Sequence, residues 1–152
     1  MAELTLLLDT NILWDIALCQ RLAEKRRDGQ LEAYIPTIIH AERIRQITDQ
    51  HGEEFSIDVV RQFIGDYQFE LLPFSRQDAE TVAQVWLYIC QAIPSDERKT
   101  YWLHNCIDIL LCAVAHARGY TLVTNDQSGH HFEVVSNRMT TNELETHLLA
   151  LV

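Results

Sequence analysis

The chain alternates short, continuous apolar runs with longer stretches in which apolar positions recur every three or four residues. LTLLL at 4–8 is the first run, closed by Asp9. A run with no polar face predicts a strand buried on both sides, as in a parallel sheet. Residues 12–27 then turn helical. Ile12, Ile16, Leu18, Cys19 and Leu22 share a broad face, Lys25, Arg26 and Arg27 fill the last turn, and Asp28-Gly29 stops it. LEAYI at 31–35 predicts a second strand. Pro36-Thr37 opens a helix carrying Ile38, Ile39, Ile44 and Ile47, with Thr37 as the expected N-cap and Gly52 as its end. Residues 56–64 predict a further short helix, and FELLP at 69–73 a third strand. Ser75 and Asp78 read as a capping box ahead of the helix VAQVWLYICQAI. Residues 94–99 read as a polar loop, 107–118 as a helix stopped by Gly119, YTLVT at 120–124 as a fourth strand and FEVVS at 132–136 as a fifth. Thr140 and Glu143 form a second capping box before a C-terminal helix through Leu148.

Strands alternating with helices predict an α/β fold, a parallel sheet with helices on both faces. No repeat, low-complexity stretch or linker interrupts the pattern, so 1–152 is expected to be one domain. No apolar run reaches the ~18 residues of a membrane span. The start MAELTLLLDT has neither a basic stretch nor a small-residue cleavage site, so no signal peptide and a cytoplasmic location are expected.

Charge and cysteine content narrow the chemistry. Twelve Lys and Arg against 22 Asp and Glu give a net charge of −10, which argues against a broad electrostatic footprint for nucleic acid. A local basic patch or a metal-neutralised site stays open. Of the four cysteines, three lie in apolar helical contexts and read as small buried hydrophobes rather than a disulfide framework. His104, Cys106, Cys112 and His116 do not make a zinc set, because only Cys112 and His116 share a helical face.

Four acids stand out by position: Asp9 after the first strand, Glu42 in an apolar helix face, Asp108 near the start of the helix 107–118, and Asp126 just past the fourth strand. Each has an ordinary explanation. Asp9 can cap the following helix. Glu42 can pair with Arg43, Arg45 or Arg61. Asp108 can answer a helix N-terminus. Asn125-Asp126 can be a turn. Taken together they point elsewhere. Acids at the carboxyl edge of a parallel sheet converge where ligands bind. Carboxylates crowded there repel one another unless a cation joins them.

Asp9-Thr-Asn after the first strand, Glu42 in the second helix, DILLCAVAHARG and LVTND resemble, in that order, the PIN-domain family. The resemblance covers nearly the whole chain, and DILLCAVAHARGYTLVTND is its most specific stretch. It implies a PIN-like three-layer α/β/α sandwich with a mostly parallel sheet of about four or five strands. It implies a metal-dependent ribonuclease with an acidic quartet at Asp9, Glu42, Asp108 and Asp126, and supporting hydrogen bonds from Asn11 and Thr124. It implies the VapC type of toxin in a toxin–antitoxin pair, with an RNA substrate, a cognate antitoxin and a homodimer as partners. The loop after Asp126 departs from the family, which often carries an acid and an aromatic there; His131-Phe132 stand at about that place.

Magnesium prefers oxygen ligands, and manganese accepts the same set. On this reading Asp9 and Asp108 hold the main ion, Glu42 completes that site or holds its water, Asp126 serves a second ion, and Thr124 orients a water or Asp126. Arg21, Lys25, Arg26 and Arg27, with Arg43 and Arg45, are candidate phosphate contacts, against the simpler reading of helix C-terminal charge. Trp14, Trp86 and Trp102 read as core or interface. Val82, Val85, Trp86 and Ile89 fit packing or a homodimer face. A phosphatase with an aspartate nucleophile is excluded by the missing Asp-x-Asp-x-Thr, and a receiver domain by lysines at 25 and 99 only. The remaining rivals are a PIN-like binding or scaffold module without turnover and a housekeeping RNA-processing nuclease.

Overall fold

β1 (Leu4–Leu8) is the middle strand of a five-stranded, all-parallel sheet of order β3-β2-β1-β4-β5. The computed structural model describes residues 4–151, apart from the side chains of residues 53–56. Leu6 sits between Ala33 of β2 (Leu31–Pro36) and Thr121 of β4 (Thr121–Val123), and Leu6, Leu7 and Leu8 are fully buried. This is why the first run needs no polar face. The edges are β3 (Glu70–Leu72) and β5 (Arg138–Met139).

Parallel neighbours need crossovers, and helices supply them. α1 (Thr10–Leu13) and α2 (Ile16–Arg27) join β1 to β2. α3 (Thr37–His51) and α4 (Glu53–Tyr67) join β2 to β3. The long pair α5 (Arg76–Ala92) and α6 (Arg98–Arg118) carries the chain from the β3 edge back to β4, beside β1. α7 (Thr141–Ala150) follows β5 and packs with α2. The chain thus builds outward from β1 on one side, then returns to build on the other. The crevice at such a reversal, beyond the carboxyl ends of β1 and β4, is where ligands of open α/β sheets bind.

Five expectations need correction. The helix over 12–27 is broken at Trp14-Asp15, because Asp15 caps a fresh start by accepting from the Leu18 amide at 3.0 Å. Thr37 is not the N-cap of α3; Pro36 holds that place, and the Thr37 hydroxyl accepts from the Phe74 amide at 3.2 Å, tying α3 to the segment after β3. The helix expected over 56–64 runs from Glu53 to Tyr67 and ends on Gln68 in the left-handed region, φ 55°. The loop 94–99 and helix 107–118 merge: after one 3-10 turn at Ser95–Glu97, α6 runs without a break to Gly119. No Pro or Gly stands between Pro94 and Gly119, so nothing stops the helix. FEVVS is not a strand. His130–Val134 is a 3-10 turn that drives Phe132 into the core, and Arg138–Met139 pairs with β4 instead.

Both predicted capping boxes are present, at Ser75/Asp78 and Thr140/Glu143. Asp78 does double duty: it is nearly fully buried and accepts from Arg118 at the far end of α6 at 2.9 Å. Burial alone would raise its carboxyl, but the bonds from Arg118 and Ser75 outweigh that and hold it below the ordinary value. The main core surrounds the sheet, and a second one lies between α5 and α6, where Val85, Ile89, Ile109 and Ala113 are closed over by an edge-on Trp86–Trp102 pair.

Candidate active site

Asp9 leaves β1 and caps α1, so both its ordinary and its functional reading hold of the same side chain. Its Oδ1 accepts from the Thr10 amide at 2.7 Å, and its Oδ2 from the Thr124 hydroxyl at 2.7 Å. Thr124 is fully buried just past β4 and also takes the Asp126 amide at 3.2 Å. One hydroxyl therefore joins the two central strand ends. Thr10, buried at the start of α1, donates its hydroxyl to Oε2 of Glu42 on α3 at 2.6 Å. Glu42 is half-buried, and two of its expected arginine partners, Arg43 and Arg45, are engaged elsewhere. Arg45 pairs with Asp49 at 2.8 Å, and buried Arg43 lies 4.0 Å over the Phe63 ring and 5.4 Å from Trp14.

Asp108 reaches the group from the middle of α6, not from a helix start, so helix-end electrostatics do not explain it. Its carboxyl is raised to about 7 by burial first, then by the charges of Asp9, Glu42 and Asp126. Asp9 is raised too, by burial and by Glu42 and Asp126, against the lowering pull of Thr124 and Thr10. Asp126 is exposed, and its Oδ1 accepts from the Ser128 hydroxyl at 2.9 Å, a turn interaction. Asn125 accepts from the Thr141 amide at 2.8 Å and fastens the same loop to α7.

The structure thus brings all four acids within electrostatic reach of one another. The hydrogen-bonding place next to the first acid, expected for Asn11, belongs to Thr10; Asn11 is exposed on α1. Thr10 stood in the Asp-Thr-Asn motif, but only the α3 contact reveals its task. His131 is 1 % exposed; its Nδ1 is 2.8 Å from the Tyr101 hydroxyl and its Nε2 is 4.0 Å from Oδ2 of Asp108. Burial lowers the imidazole to about 4, so it is neutral near pH 7 and brings no positive charge to the acids. The basic stretch is engaged away from the acids. Arg21 pairs with Glu145, Lys25 donates to the Leu151 carbonyl, and Arg26 pairs with Glu70 and donates to the Gln68 carbonyl.

Among the described residues no Lys or Arg forms an ion pair with any of the four acids. Uncompensated carboxylate oxygens are the donor set that a hard divalent cation prefers; burial first, and the neighbouring acids after it, raise Asp9 and Asp108, and a cation there would oppose both effects. As they stand the acids do not close into a finished coordination sphere: no three His, Cys, Asp or Glu side chains among the described residues are placed to hold an ion without movement.

A cluster of acids at the reversal point of an all-parallel sheet, clasped by two threonines, defines the class: an α/β protein with an acidic site at the carboxyl ends of its central strands. Residues 6–136 match the PIN domain, and the chain belongs to the PIN-domain family, a family of nucleases. No curated protein sequence matches it. Among solved structures it is similar to VapBC2 from Rickettsia felis bound to a promoter DNA fragment, at 18% identity and TM-score 0.67 over 90% of this chain and 98% of that one. DNA-bound VapBC from Salmonella typhimurium superposes at 20% identity and TM-score 0.63, covering 90% of this chain and 98% of that one. VapBC-1 from nontypeable Haemophilus influenzae does so at 16% identity and TM-score 0.63, with the same coverage. At these identities the similarity is one of fold.

Proposed function

We propose that the chain is a divalent-metal-dependent endoribonuclease and the toxin half of a type II toxin–antitoxin pair. The observation that carries the catalytic part is the set of acids Asp9, Glu42, Asp108 and Asp126, with which no Lys or Arg among the described residues forms an ion pair. The resemblance to VapBC complexes supports the antitoxin partner. On this reading the four acids would hold magnesium, or manganese in its place. Such an ion, when bound, activates water and offsets charge on the phosphate.

The chain's own residues supply position. Asp9 is fixed from both sides by Thr10 and Thr124, so its free lone pairs point into the cluster without rotamer freedom. Glu42 is held through one oxygen by the Thr10 hydroxyl. Asp108 is the softest member, half-exposed and raised to about 7, and it gives up its proton when a cation is at hand. A polyanionic substrate approaches a molecule of net charge −10, so neutralising the cluster comes before binding RNA.

Purified protein should cut structured RNA with manganese, stop when the ion is chelated, and lose at least two orders of magnitude in rate as Asp9→Asn. Cleavage at the wild-type rate by Asp9→Asn would sink the assignment. The unfinished coordination sphere favours one second reading, a PIN-like RNA-binding or scaffold module without turnover. Retained RNA binding with neither cleavage nor manganese uptake would select it.

A further inference from the structure

Nε2 of His131 is a buried polar atom with no hydrogen-bond partner, and it faces Asp108. Its surroundings are built to hold it there. The ring packs 4.4 Å from Phe132, centroid to centroid, and meets Tyr101 edge-on at 5.8 Å. Its third wall is Gly129. That residue has an ordinary φ of −82°, so glycine is not required there by backbone conformation. It is required by space: a Cβ on Gly129 would stand 2.1 Å from Cε1 and 2.8 Å from Nε2 of the imidazole. The fold has removed a side chain to seat this ring.

The Tyr101 hydroxyl fixes which nitrogen carries the proton. A phenol has one hydrogen to give, and giving it to Nδ1 at 2.8 Å leaves the imidazole proton on Nε2, directed at Asp108. The opposite tautomer would aim a bare lone pair at a carboxylate oxygen. The 4.0 Å separation is longer than a hydrogen bond. Only one partner is free to close it: the imidazole is walled in at 1 % exposure, whereas Asp108 is 29 % exposed and can turn.

We propose that His131 is a positioning residue for Asp108, in which the Nε2 proton, oriented by Tyr101 and seated against Gly129, captures Oδ2 and leaves the other oxygen to the acidic cluster. This rests on the metal-dependent reading above.

Manganese uptake by titration calorimetry, with the imidazole 15N spectrum of His131, tests it. His131→Leu should weaken manganese binding about 10-fold or more, and His131→Gln, which keeps an N–H at similar reach, should recover most of the loss. Tyr101→Phe, which leaves the packing intact, should weaken binding and turn a single Nε2-protonated signature into a mixture of tautomers. If His131→Leu fails to fold, Tyr101→Phe and the spectrum decide alone. Wild-type affinity in both His131→Leu and Tyr101→Phe while Asp108→Asn loses the ion overturns the proposal, as does a proton found on Nδ1 in the wild type. Wild-type affinity in Asp108→Asn overturns the metal reading itself and takes the proposal with it.

Discussion

Asp108 and His131 face each other with opposite effects on stability. Asp108 titrates near 7 in the fold and 3.8 outside it, so between these values the folded chain holds a proton the unfolded chain has released. Stability of the metal-free protein therefore falls as pH rises from about 4 to about 7, and the whole deficit is present above that. His131 runs the other way: about 4 folded against 6.5 unfolded, its contribution is present above 6.5 and is lost as pH falls towards 4. The two slopes oppose each other over most of that range. In chelator at pH 8, Asp108→Asn should be more stable than wild type by on the order of 2 kcal/mol, after allowing for its partial exposure. That is about 5 °C in Tm by calorimetry. An unchanged Tm would mean that burial and the neighbouring acids together do not disfavour the charged Asp108. Single residues were legible in the sequence where their neighbours along the chain explain them, as with Asp9 directly after LTLLL. Thr10 and Tyr101 were not, because each acts on a side chain from another element, 32 and 30 residues away, and Gly129 was not, because only the folded 3-10 turn brings the His131 ring over it.

Among the elements, those whose ends carry their own chemistry were readable. Ser75/Asp78 and Thr140/Glu143 announce helix starts, and Gly52 and Gly119 mark ends, because these groups satisfy backbone atoms locally. Failures came where an apolar run was ambiguous or a polar one misleading. FEVVS has strand composition, yet Phe132 and Val135 are wanted on the same side, in the core, which an alternating strand cannot provide. The polar loop expected over 94–99 hides the start of α6 at Arg98, and the helix expected only from Ile107 begins before Tyr101 and Trp102, which pack against the second core. The Asp78–Arg118 contact clamps the first turn of α5 to the last turn of α6. Arg118→Met should lower stability by about 2 kcal/mol in urea unfolding, the loss expected when a buried, charged acceptor is left without its donor. The same clamp should keep the activity of the folded fraction unchanged, since it lies at the opposite end of α6 from Tyr101.

On the molecule as a whole, Leu87 of α5, 62% exposed, and Leu103 of α6, 64% exposed, are apolar side chains left in solvent. No helix among the described residues is long and apolar enough to cross a membrane. The sheet was legible from sequence, but its strand order was not, because the local pattern does not record which strands become neighbours. The return of the chain to β1 puts Thr124 on Asp9 across 115 residues. That span is also an interval of time. While the protein is being made, Asp9, Glu42 and Asp108 all leave the ribosome before the hydroxyl that clasps the first of them, and β5 follows later still. An incomplete chain carries most of the acids but not their arrangement. The arrangement of the acids therefore exists only once Thr124 and β5 have been made.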